Sequence, residues 1–215
     1  MMKKLTLALA AVLLCAVPAL ADDDETVRSF QKKIPTGGVD RIHVDLPVGE
    51  VEVTGTSESE VDARLDLVCD RDISRCREAA QKVRFVYDTT GDELRLRVRD
   101  WPKGKMKGLH VRARISVPRA LALKAELGVG ELTVKGIEND LVADLGVGEV
   151  SVSLPESAVG SVHVDTGIGE ASILAGGRRY ESAGLFVREV SWKKGTGRAR
   201  VEVDCGVGEA SVSLK

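Results

Sequence analysis

Glutamate closes a short glycine-rich corner again and again in this chain. The copies are Pro47-Val48-Gly49-Glu50, Gly128-Val129-Gly130-Glu131, Gly146-Val147-Gly148-Glu149, Gly167-Ile168-Gly169-Glu170 and Gly206-Val207-Gly208-Glu209. Carboxylates at equivalent repeat positions could ligate divalent ions, hold a basic partner, or act in pairs as acid and base on a glycosidic bond. The last chemistry needs two acids in unlike environments, and equivalent corners supply like ones. Calcium-binding nonapeptide repeats need a nine-residue period and an Asp two residues past the glycine, and neither is present.

Other chemistries lack their residues. His43, His110 and His163 are scattered, with no H-E-x-x-H and no second ligand at helical spacing, so no metal site is expected. No G-x-S-x-G occurs. The G-x-G corners lack the third glycine and the following helix that a dinucleotide needs. The chain therefore reads as not an enzyme, with no catalytic residues and no cofactor.

Two thiols could do redox chemistry. Cys69 and Cys76 lie seven residues apart, one at a strand end and one a turn into the helix that Asp72 would cap, and a local disulfide is expected. Cys205 stands where other copies carry leucine and reads as a core thiol.

The elements that must position these groups follow from hydrophobic phase. Leu141, Ala143, Leu145 and Val147 alternate before Glu149, and Val150, Val152 and Leu154 alternate after it. Alternation means a strand with one buried face. The one-residue slip at Gly-Glu means a corner that keeps the same side buried, with Val147 and its equivalents pointing inward. Glycine suits that corner because it tolerates positive φ and leaves room for neighbouring backbone.

From Glu131 the steps to Glu149, Glu170 and Glu209 are 18, 21 and 39 residues. The doubled last step predicts a worn copy midway, and Leu185 to Trp192, with Glu189, keeps both phases without the glycines. The fold class expected is all-β: a β-solenoid-like stack of two-strand units with a period of about 20 residues and one short helix in the N-terminal half. In register, Gly49, Glu50, Gly130, Glu131, Gly148, Glu149, Gly169, Glu170, Glu189, Gly208 and Glu209 would form a corner ladder. A solvated edge that resists aggregation is the plain reading, and a docking strip for a basic partner or divalent ions is the competing one. Thr133, Ser151, Ser172, Ser191 and Ser211 would form a second, polar row.

Residues 1–21 read as a signal peptide: Lys3 and Lys4, an apolar core from Leu5 to Val17, then Ala19-Leu20-Ala21. Export to the periplasm or beyond is expected, with no transmembrane segment after cleavage. Residues 22–38 read as a flexible leader and 39–215 as a single β-repeat domain. The chain has a net charge of −2 and no basic patch, which excludes nucleic acid as a partner. Thr90-Gly91-Asp92 marks a hairpin.

The run Ile115-Ser116-Val117-Pro118-Arg119-Ala120-Leu121-Ala122-Leu123, followed by serial G-x-G-plus-acid units, resembles the bacterial putative-adhesin domain of unknown function, also described as toast-rack-like. The resemblance covers about residues 40–215. It implies stacked β-repeats on an exported or envelope protein, with no catalytic residues to carry over. The function expected is an adhesin-like interaction or structural module of the cell envelope, whose partner is a protein or another envelope component. An envelope-stress sensory module, or a carbohydrate-active enzyme on a solenoid, is the alternative.

Overall fold

The computed structural model describes residues 24–70, 74–102, 108–182 and 188–215. The signal peptide, the Asp72 cap and Leu185 to Val187 of the worn copy lie outside the described residues. The elements are β1 (Asp24–Pro35), β2 (Arg41–Thr56), β3 (Glu60–Asp70), α1 (Ser74–Lys82), β4 (Arg84–Thr90), β5 (Glu93–Arg99), β6 (Leu109–Pro118), β7 (Ala122–Lys135), β8 (Leu141–Leu154), β9 (Val159–Ala175), β10 (Arg178–Glu181), β11 (Arg188–Trp192) and β12 (Ala199–Leu214). They form a 12-stranded sheet in the order β1-β3-β6-β2-β7-β8-β12-β9-β10, with β5 and β4 joined to β2, and β11 joined to β9.

Connection length dictates the shape of the repeat. A flat strand of the 14 residues in β7 would be about 47 Å long. The next strand starts parallel to it after only Gly136 to Asp140, which reach about 20 Å. Each long strand must therefore fold back on itself, and the crease falls at the Gly-Val-Gly-Glu corner. Leu123 and Leu127 before the crease, and Leu132 and Val134 after it, share one buried cluster. One sheet thus supplies both layers of the core.

The two leaves have different neighbours at their margins. The first half of β2 pairs with β5 and the second half with β6. At the other margin the first half of β9 pairs with β11 and the second half with β10. Between these forks, β2, β7, β8, β12 and β9 lie parallel and in register through both leaves.

Four expectations are corrected. Residues 24–35 are not a flexible leader; they form β1, antiparallel to β3 from Asp24↔Asp70 to Pro35↔Glu60. Ile34 is buried, and Phe30 packs against Phe85 with ring centroids 6.3 Å apart. Charges on this edge strand mark solvent exposure, a device that blunts sheet edges, and not lack of structure. Second, sequence order is not spatial order: β12 inserts between β8 and β9. Third, Glu189 leaves the ladder, because β11 runs antiparallel to β9 and places Glu189 beside Asp165; Ser191 accordingly faces His163 and not the serine row.

The fourth correction concerns the corner itself. Val129, Val147, Ile168 and Val207 point outward, 45%, 46%, 54% and 43% exposed. The inward alternation ends one step earlier, at Leu127, Leu145, Thr166 and Cys205, all buried. Four residues then pass before burial resumes, at Leu132, Val150, Ala171 and Ala210, so the slip is spread over the whole corner.

Glycine is required there by space as well as by φ. A Cβ on Gly148, whose φ is 136°, would lie 1.9 Å from the carbonyl oxygen of Gly130. Pro47 replaces the first corner glycine only in β2. A Cβ on Gly128 would meet the Pro47 carbonyl at 2.4 Å, but Pro47 lies in the fork between β5 and β6, where no strand pairs on its other side.

Candidate functional site

The crease carries three parallel rows. At its apex stand Val48, Val129, Val147, Val207 and Ile168, aligned through Val48↔Val129, Val129↔Val147, Val207↔Val147 and Val207↔Ile168. Two residues later the corner glutamates align in the same order: Glu50, Glu131, Glu149, Glu209 and Glu170. Three residues before the apex runs a second acidic row: Asp45, Glu126, Asp144, Asp204 and Asp165, extended by Glu189 of β11. The repeat is therefore [DE]-x-[GP]-[VI]-G-E. Its first acid was legible in every copy but is masked by the more regular G-x-G-E.

Charge is balanced only at the ends of these rows. Arg112 Nε donates to Glu50 at 3.3 Å, and Arg188 lies 4.0 Å from Glu170. Arg95 donates to Asp45 at 2.9 Å. Glu126 lies 2.6 Å from both Lys124 and the buried His43, whose other ring nitrogen is 3.3 Å from Glu93. Burial pushes the Glu126 carboxyl up, but the Lys124 and His43 hydrogen bonds outweigh it and hold it below the ordinary range. Among the described residues no ion-pair partner reaches Glu131, Glu149, Glu209, Asp144, Asp204 or Asp165. Burial first, then Glu202, Asp144 and Asp165, push the Asp204 carboxyl above its usual value. In-register neighbours about 4.8 Å apart repel by about 1 kcal/mol in water.

The next row along the second leaf is polar. Thr133, Ser151, Ser211 and Ser172 align there, and the hydroxyls of Ser151 and Ser211 lie 3.2 Å apart. Over β6, β2 and β7, an open cavity of about 350 Å³ is lined by Glu50, Glu52, Arg112, Arg114, Glu131 and Lys135. Lys135 donates to Glu52 at 2.6 Å and holds its carboxyl down.

Cys69 and Cys76 are joined in a disulfide between the end of β3 and α1. Arg28 of β1 reinforces that junction by donating to the carbonyls of Gln81 and Val83 at 2.8 and 2.9 Å. Cys205 is a free, buried thiol whose pKa burial pushes up. The histidines stay apart: His163 faces Ser191 at 3.0 Å and His110 faces Asp24 at 3.5 Å. Among the described residues no group of three or more His, Cys, Asp or Glu is placed to hold a metal ion, and no helix is long and apolar enough to cross a membrane.

No family model matches the chain, and no curated protein does. Solved structures do. A putative cell adhesion protein from Clostridium sporogenes superimposes with a TM-score of 0.52 at 16% identity, over 87% of this chain and 99% of that one. A putative adhesin from Parabacteroides merdae aligns at 13% identity over 86% of this chain and 81% of that chain, with a TM-score of 0.33. One from Bacteroides fragilis aligns at 10% identity over 86% and 97%, with a TM-score of 0.28. Identity this low carries the fold alone, and only the first superposition is close enough to carry it. The serial corners thus belong to an open-sheet β fold similar to that of the Clostridium sporogenes protein.

Proposed function

We propose that this chain is an exported, adhesin-like interaction module of the bacterial cell envelope that works by binding and not by turnover. The observation that carries the reading is the crease. Near-identical corners present the same side chains in register on neighbouring strands. Such a surface is extended and repetitive, whereas acid–base catalysis wants unlike environments close together. Export is supported by the apolar stretch Leu5 to Val17 and by the Cys69–Cys76 bond, since structural disulfides belong to oxidising compartments. The folded chain would remain in the periplasm or at the surface as a single domain.

A photo-crosslinking residue at position 98, outside the crease, and another at position 147, on it, test this in cells making the full chain. The expected result is a disulfide-bonded protein in the envelope fraction, crosslinked to another envelope component from at least one position. A reduced protein in the cytoplasm with no adduct from either position would overturn the reading.

A further inference from the structure

The crease holds more than an acidic ladder. Six large apolar side chains are exposed among the described residues, and four of them, Val129, Val147, Val207 and Ile168, stand side by side on the apex row. Scattered exposed apolar residues need no explanation, but a contiguous line does. The glycines on either side carry no side chain, so the line projects unshielded. It spans about 19 Å from Val48 to Ile168 at ~4.8 Å per strand. Carboxylates run along both flanks; among the described residues the central ones form no ion pair within 4.0 Å, with Lys124 acting on Asp144 and His163 on Asp204 only from farther away.

We infer that this ridge docks a cationic amphipathic segment of another protein, one whose apolar stripe lies between lines of Lys or Arg; the inference rests on the binding role proposed above and names the partner's chemistry. The apex row takes the apolar stripe, and the flanking rows take the two lines of positive charge. About 13 residues of helix match the length of the ridge, and long Lys and Arg stems can lie over the valines while their heads reach the acids. A second copy of this chain fits badly, because ridge against ridge would set acid against acid. An anionic lipid surface is repelled for the same reason.

The test uses the folded mature chain and a fluorescent 15-residue peptide with a leucine stripe flanked by lysines. A scrambled peptide of the same composition and a glutamate-for-lysine peptide are the controls. The ridge variant is Val129→Thr, Val147→Thr and Val207→Thr, which keeps β-branched shape and strand preference while removing apolarity. The flank variant is Asp144→Asn, Glu149→Gln, Asp204→Asn and Glu209→Gln. The striped peptide should bind wild type at least tenfold more tightly than either control. Each variant, with unchanged circular dichroism, should lose at least tenfold, and salt should weaken only the binding that retains the acids. Equal binding of striped and scrambled peptides, an unaffected ridge variant, or saturable response only to calcium or magnesium chloride would overturn the inference. A crosslinked envelope partner captured from position 98 but not from 147 would sink the ridge and leave the binding role standing.

Discussion

The antiparallel N-terminal part of the sheet and the parallel stack of β7, β8, β12 and β9 treat charge in opposite ways. In the first, many opposite charges meet, although Asp24 lies across from Asp70, Arg64 from Arg114 and Arg84 from Arg99. Asp66 lies across from Arg112, Arg97 donates to Asp88 at 2.6 Å, Arg84 donates to Asp100 at 2.6 Å, and Lys33 donates to Glu60 at 3.0 Å. In the second, Asp204 lies between Asp144 and Asp165, and Glu209 lies between Glu149 and Glu170. The difference follows from symmetry. Antiparallel strands of unrelated sequence can match plus with minus, whereas in-register copies of one sequence place each residue beside its own kind. Like charges directly opposite destabilise a sheet. The N-terminal region shows that this chain pairs opposite charges where its strands differ in sequence, and the unpaired rows along the crease are what the proposed docking would use.

Glycine should expose the contrast most strongly. Gly148→Val places a Cβ against the Gly130 carbonyl at positive φ and should cost about 4 kcal/mol or prevent folding. Gly91, in the N-terminal hairpin, also has positive φ, but a Cβ added there would meet nothing within 4 Å. Gly91→Ala should cost only about 1 kcal/mol. Urea melts compare the two.

The disulfide is the next largest effect, and it belongs to the N-terminal region alone. Changing Cys69 and Cys76 together to Ala should cost about 2–3 kcal/mol. Hydrogen exchange should then speed up in β3 and α1 while β8 and β12 keep their protection. Equal loss in both regions would show that the sheet melts as one unit.

Single charges separate the regions by sign. Glu50→Gln, at the boundary, loses its Arg112 partner and should destabilise by about 0.5 kcal/mol. Glu149→Gln removes repulsion and should stabilise by about the same amount. Thermal melts at low salt give both signs.

The smallest effect is a pH dependence. Folding raises the Asp204 pKa, so the folded chain holds that proton more tightly than the unfolded one. Its contribution favours the fold below the ordinary carboxylate pKa and is lost as pH rises through the raised value. Glu126 runs the other way: its lowered pKa supports the fold above the ordinary value, and that support fades as pH falls. Asp204→Asn should therefore stabilise by about 0.3 kcal/mol at neutral pH, and the gain should vanish toward pH 3. A gain that persisted in acid would mean that burial of the side chain, and not its charge, sets the effect.

Much of the stack was legible because its signals are local. The phase slip marks the crease, identical corners imply register, and a cysteine at a strand end with another in the first turn of the following helix implies their bond. Spatial order was not legible: near-identical copies stack equally well in several orders, and nothing in the Val207 corner says that it inserts between Val147 and Ile168. The segment around Glu189 kept the alternation of a repeat, yet alternation is equally the pattern of an antiparallel edge strand, and without corner glycines it cannot crease. Leu145 and Val147 are in phase on paper, but four corner residues, Gly146 to Glu149, absorb the turn in space and leave the valine outward. Only an outward valine makes the flanking acids into a three-row surface, and alternation alone does not show that direction.

If the two acidic rows oppose the fold that carries them, neutralising them stabilises it. Equilibrium urea unfolding of wild type and of the Asp144→Asn, Glu149→Gln, Asp204→Asn, Glu209→Gln variant, at low and at high salt, tests it most directly. The expected result is a variant more stable than wild type at low salt by about 1–2 kcal/mol, with the gap closing at high salt as repulsion in the wild type is screened. A variant less stable than wild type at low salt would show instead that the carboxylates hold the crease together.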